Sequence, residues 1–183
     1  MPSMTMTEEH GGHRRIDRIR DASFLDGIED LSLEDLRARR DECLAEREYL
    51  SLLRRLIQGR AEILQAELNS RSGGGDEAPV VDRLATILAG DEGPVASRGE
   101  AVHVGLPEEE LLLARRHAER LVSDATISDP SSLDDEALAA AVASLAEEER
   151  LVSDTRGDVL TVLDTLQDEL KRRYKDDPTL ALR

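Results

Sequence analysis

In the stretch EYLSLLRRLIQGRAE, residues 48–62, the apolar side chains keep the spacing of a buried helix, while Ser51, Arg54, Gln58 and Glu62 fall along one line. With Arg47 at offset 0 they extend a row at offsets 4, 7, 11 and 15. At about 100° per residue that row covers an arc of roughly 80° and about 22 Å of helix. A second row follows near the C-terminus: Glu149, Ser153, Arg156, Leu160 and Asp164. Such rows offer guanidinium forks, hydroxyls, an amide and carboxylates. They hold no nucleophile–base pair and no metal-ligand cluster. Arginine suits phosphate, or the O6 and N7 of guanine, through two parallel hydrogen bonds. A carboxylate suits the N1–H and N2–H₂ donor edge of guanine. The chemistry therefore fits a guanine nucleotide read edge-on, with its phosphates neutralised by arginine.

The elements that must carry these rows are long helices. Ser32 opens a capping box, SLED, with Asp35 in place of the usual Glu or Gln, and the helix predicted from it runs over 32–71. SGGGDEAP (72–79) ends it as a linker. A short helix is predicted over 80–90, stopped at Gly90, and another over 107–124, with acids in its first turn as the helix dipole favours. Ser132, with Asp135 three residues on, opens a last long helix over 132–175. Residues 1–30 read as a disordered tail, 31–176 as one helical domain and 177–183 as a C-terminal tail. The fold class expected is all-α. AVHVG (101–105) is the one doubtful strand.

The two long helices repeat one another at an offset of 102: Leu36, Cys43, Leu50, Ile57 and Leu64 against Leu138, Leu145, Val152, Val159 and Leu166. Glu34, Glu46, Ser51, Arg54, Gln65, Glu67 and Leu68 also find themselves at Glu136, Glu148, Ser153, Arg156, Gln167, Glu169 and Leu170. A column spaced by sevens is a coiled-coil seam. Two such helices in one chain can pair about a pseudo-twofold axis; the linker permits either direction. The second seam column is charged in its middle, Arg40, Arg47 and Arg54 in one helix and Glu149 and Arg156 in the other. Charge in a seam costs stability, so it serves register, partner choice or a ligand, unless these arginines fold back to acids such as Glu46.

Composition narrows the function classes. The net charge is −16 over 183 residues, with 2% aromatics and no Trp. Nucleic acid is a poor partner for such a field, and a basic protein surface a good one. Cys43 is the single cysteine, so no internal disulfide forms, and it reads as a small core hydrophobe. No signal-peptide core and no apolar run of about 18 residues is found, which makes the cytoplasm the expected location and a membrane contact unexpected. His10, His13, His103 and His117 stand at no metal-ligand spacing that a folded element would fix, and Gly73–Gly75 form a linker rather than a phosphate loop.

The pattern Glu-x3-Ser-x2-Arg-x3-Gln-x3-Asp, once on each helix of a coiled coil, resembles the cyclic di-GMP signature of the RsiG family, actinobacterial anti-sigma factors of the sporulation sigma factor WhiG. LSLEDLRARRDE, LSLLRRLIQGRAEI, VVDRLATILA and ELKRRY add to the resemblance, which covers about 31–175. It implies an antiparallel intramolecular coiled coil and a ligand dimer of cyclic di-GMP bound by Ser51, Arg54, Gln58, Glu62, Glu149, Ser153, Arg156 and Asp164. It also implies a WhiG-type sigma factor as partner, and a monomer whose two copies do what a homodimer does. The chain departs from the pattern at Arg47, where an acid leads, at Leu160, where Gln stands, and at Glu62, one methylene longer than Asp. The competing expectation is a diverged helical binding protein that needs no ligand. An enzyme is not expected, since thin coiled coils rarely enclose a water-excluding pocket.

Overall fold

The computed structural model of the chain describes residues 15–73 and 105–182. Five α-helices lie among them: α1 (Arg15–Arg20), α2 (Leu33–Arg71), α3 (Glu108–Leu121), α4 (Asp124–Ser128) and α5 (Asp135–Asp176), with short 3₁₀ turns at Ala22–Leu25, Pro130–Ser132 and Pro178–Leu182. No strand occurs among the described residues. The helix expected at 80–90, all but Gly105 of the doubtful strand at 101–105, and His10, His13 and His103 lie outside them.

The long helices start and stop for local reasons. The Ser32 hydroxyl accepts the Asp35 N–H at 3.0 Å and donates to the Asp35 carboxylate at 2.6 Å, so the capping box closes and α2 begins at Leu33. The helix ends at Arg71, before Gly73 at φ +71°, a left-handed stop that glycine adopts without steric cost. The last helix begins three residues later than expected. Pro130–Ser132 form a 3₁₀ turn, and Asp134 is the cap: its carboxylate accepts the Ala137 N–H at 2.7 Å. Proline in that turn and the stronger acceptor at 134 displace the start from Ser132.

The chain divides into two compact units, residues 1–46 with 158–183, and residues 47–157. In the first, α1, the start of α2 and the end of α5 pack together. Ile19 is buried, and the arginines of α1 reach acids: Arg15 to Glu46 at 3.2 Å, Arg20 to Asp158 at 3.1 Å, and Arg18 to Glu42. Arg39 donates to the Phe24 carbonyl, and its guanidinium lies 5.5 Å from that ring's centre. The disordered tail expected over 1–30 is thus corrected for residues 15–30, while residues 1–14 lie outside the described ones. One apolar anchor and a set of ion pairs hold a segment whose polar composition reads as tail.

In the second unit the end of α2, α3, α4 and the start of α5 pack together. Ala114, Ala118 and Val122 are buried, His117 meets Glu148 at 2.9 Å, and Arg60 donates to the Val122 carbonyl and to Asp124. The helix expected over 107–124 is broken at Val122–Ser123, where the Ser123 hydroxyl caps α4.

In both units α2 and α5 run antiparallel. Arg37 donates to the Tyr174 hydroxyl at 3.0 Å in the first; Ser51 pairs with Arg156 at 3.0 Å and Arg71 with Asp135 at 2.9 Å in the second. All ten residues of the two sevens columns are buried, none more than 5% exposed. Each leucine among them carries the usual core penalty for truncation to alanine, about 2–5 kcal/mol.

The repeat at 102 is wider than the long helices. Arg71 donates to the carbonyls of Pro130, Ser131 and Leu133 and to Glu67; Arg173 donates to those of Ile28, Glu29 and Leu31 and to Glu169. Every partner is the other plus 102, and so are the caps Asp21 and Ser123, and Ser32 and Asp134. Residues 15–71 and 117–173 therefore use one contact plan twice.

Cys43 sits in the seam with no exposed surface, and burial, helped by Glu42 and Glu46, pushes its thiol up to about 12. The thiolate is the reactive form. Iodoacetamide at pH 8 is expected to leave the native protein unmodified over hours and to alkylate it within minutes in denaturant; intact mass reads the result.

Candidate functional site

The second unit brings six of the expected residues together across α2 and α5. Glu149 is the centre. Its Oε1 accepts from Arg54 Nε at 2.6 Å, from Gln58 Nε2 at 3.2 Å and from Ser153 Oγ at 3.0 Å. The Arg54 bond holds the Glu149 carboxyl below the usual range; partial burial opposes it, and Ser153 and Gln58 add to it. One carboxylate thus gathers donors from both helices, and all four residues come from the two motif rows.

Beside it stands a second group. Arg156 Nε donates to Ser51 Oγ at 3.0 Å, and Ser51 Oγ donates to the Arg47 carbonyl at 2.7 Å. Arg47 turns its guanidinium to its neighbour Glu48, at 2.6 Å. At the equivalent of Glu149 the chain places Arg47, so Arg156 has no cross-helix acid and takes the Ser51 hydroxyl instead. The two halves follow one plan with one charge reversed. Leu160, which stands where Gln58 has an amide, is half-buried.

Glu62 makes no bond to this cluster, and Asp164 falls outside its unit. Glu62 is exposed and has no hydrogen-bond or ion-pair partner among the described residues; Asp164 is exposed and belongs to the first unit. The idea that the seam arginines fold back to acids is realised at Arg40, which pairs with Asp41 at 2.6 Å, and at Arg47 with Glu48. Glu46 receives Arg15 instead. The motif rows did not point to Arg71 and Arg173, although the identity of residues 71 and 173 at the repeat offset was a signal for them.

All six clustered side chains are half-buried, so the site is an open face rather than a closed pocket. With Arg47 beside it, it offers a carboxylate with aligned donors, two hydroxyls and three guanidinium groups. Those are groups for recognising a polar, anionic, flat ligand. Among the described residues no set of three His, Cys, Asp or Glu is placed to hold a metal ion, and no helix is long and apolar enough to cross a membrane.

A protein-family model described as RsiG-like matches residues 22–88. The match takes in the whole of α2, with Ser51, Arg54, Gln58 and Glu62, and ends before α5. It is a family of regulatory, anti-sigma type and not one of enzymes. No curated protein matches the chain.

Proposed function

We propose, from the premise that the chain is RsiG-like over residues 22–88, that it is an anti-sigma factor whose grip on a WhiG-type sigma factor depends on cyclic di-GMP. The observation that carries the reading is the cross-helix cluster at Glu149. Arg54, Gln58 and Ser153 hold that carboxylate charged and fixed, with Arg156 and Ser51 beside it. A fixed carboxylate pairs with the N1–H and N2–H₂ edge of guanine, and the arginines neutralise phosphate. Bound nucleotide would cancel the positive charge in the middle of an otherwise acidic coiled coil. A net charge of −16 then faces the basic, DNA-binding surfaces of a sigma factor and competes with promoter or polymerase for them.

The test is calorimetric titration with cyclic di-GMP, with GTP as control, followed by capture of a WhiG-type sigma factor with and without nucleotide. Saturable binding at about two cyclic di-GMP per chain and nucleotide-dependent capture are expected. A folded protein that binds no cyclic di-GMP, even with the sigma factor present, overturns the ligand part. The charge reversal at Arg47 and the lost amide at Leu160 favour a second reading, a binding protein that needs no ligand. Capture of the sigma factor at equal strength without nucleotide would select it.

A further inference from the structure

The asymmetry of the cluster says more than that a nucleotide fits. Three donors converge on Glu149 in one half, and every one of them supports a negative centre. In the other half the position matching Glu149 is Arg47, one turn before Ser51 on the same face, and Ser51 is bonded to Arg156 across the helix pair. Among the described residues Arg156 has no carboxylate partner, so nothing neutralises it. The partner of Arg47 is Glu48, an ion pair with 32% and 41% of its side chains exposed. Pairs that open to water contribute little, so Arg47 can leave Glu48 at small cost. Leu160 removes the neutral amide that in the first half helps hold the carboxylate. One half is built around an anion and seeks donors; the other presents two guanidinium groups and a hydroxyl and seeks an anion.

We propose, building on the nucleotide reading above, that Arg47, Ser51 and Arg156 form a phosphate subsite, while Glu149, with Arg54, Gln58 and Ser153, takes the guanine edge. The ligand is then held in one orientation, base to Glu149 and phosphate to Arg47. Two guanidinium groups match a doubly charged phosphomonoester better than the singly charged phosphodiester of a cyclic dinucleotide. The site thus senses whether a guanine dinucleotide carries a free terminal phosphate, the group exposed when water opens one phosphodiester of the cyclic form.

Titration of the full chain with four ligands tests this: cyclic di-GMP, linear pGpG, linear GpG without the terminal phosphate, and pApA. The linear pGpG is expected to bind at least tenfold tighter than GpG. Arg47→Ala should bring that ratio to near one and leave the preference of pGpG over pApA intact. Glu149→Gln should do the reverse, losing the guanine preference and keeping the phosphate ratio. Circular dichroism checks that both variants stay helical. Equal binding of pGpG and GpG to the unaltered chain, or a phosphate ratio untouched by Arg47→Ala, overturns the subsite while cyclic di-GMP binding stands. Absence of binding by all four ligands overturns the nucleotide reading itself.

Discussion

Arg54→Ala is expected to weaken cyclic di-GMP binding by at least a hundredfold while leaving the helices intact. The two effects separate because the side chain has two unequal jobs. As a structural pair, Arg54 and Glu149 meet at 2.6 Å with 41% and 25% of their side chains exposed. Exposed pairs of that kind contribute roughly 0–1 kcal/mol, so the helical content and melting point should barely move. As part of a binding site, Arg54 both offers its own fork and sets Glu149. It is the largest cause of that carboxyl's depressed titration, ahead of the opposing burial and of Ser153 and Gln58. The depressed pKa gives a sign: the network stabilises the fold above the ordinary glutamate range and fades as pH falls below it. At pH 6–8 the carboxylate is charged in the parent. In Arg54→Ala it remains charged but loses its orienting bond. A lost bidentate contact costs about 1–3 kcal/mol, and the lost preorganisation adds to it, which together reach the 2.7 kcal/mol or so of a hundredfold change. Calorimetry with circular dichroism as control reads both quantities. Binding retained within threefold would remove Arg54, and with it the Glu149 cluster, from the nucleotide site.

How much of this was legible in the residues depends on what kind of signal each feature leaves. The sevens columns from Leu36 to Leu64 and from Leu138 to Leu166 were legible because apolar spacing reports burial directly, and all ten residues are buried. The direction of pairing was not, since a long connection allows both; contacts such as Arg37 with Tyr174 and Arg71 with Asp135 settle it. Residues 15–30 fold although their composition reads as tail, for a physical reason. Their fold rests on Ile19 and on arginines paired with acids of distant sequence, Glu42, Glu46 and Asp158, and composition alone cannot pair them. The repeat did carry the information: Arg18 corresponds to Arg120, and Leu31 to Leu133, at the same offset of 102. In the site, the rows showed which side chains share a face of each helix. They could not show that Glu149 would draw its donors from both helices, nor that Arg156 would settle on Ser51, because those facts depend on which residues the antiparallel pairing sets opposite each other.

Arg173→Ala is the substitution expected to cost the fold most among the polar residues, about 3 kcal/mol. Arg173 donates to Glu169 at 2.7 Å and to the carbonyls of Leu31, Ile28 and Glu29 at 2.6, 2.7 and 3.0 Å. It ties the turn before α2 to the last turns of α5, and its side chain is 15% exposed, against 7% for Glu169. Removing one partner of a nearly buried ion pair leaves the other charge poorly paired, which is the costly case. Arg172 softens the loss, because it also binds Glu169, but it is 54% exposed and reaches none of the three carbonyls. Glu169 also carries an acid signature. The Arg172 bond, against the opposing burial and with the Arg173 bond added, holds its carboxyl at about 2. A folded value below the unfolded one means that its contribution is complete above about pH 4.5 and is lost as pH falls toward 2. Urea unfolding at pH 7 and pH 3 should therefore show a steep acid loss in the parent and a shallower one in Glu169→Gln. The repeat supplies the control. Arg71 makes the same bonds to Glu67 and to the carbonyls of Pro130, Ser131 and Leu133, but that pair is 24% and 28% exposed. Arg71→Ala should cost clearly less than Arg173→Ala, since water can replace much of what it loses. If Arg71→Ala and Arg173→Ala prove equally damaging, burial is not what sets the strength of these clamps, and the bonds to the three carbonyls, which both arginines share, must carry it instead.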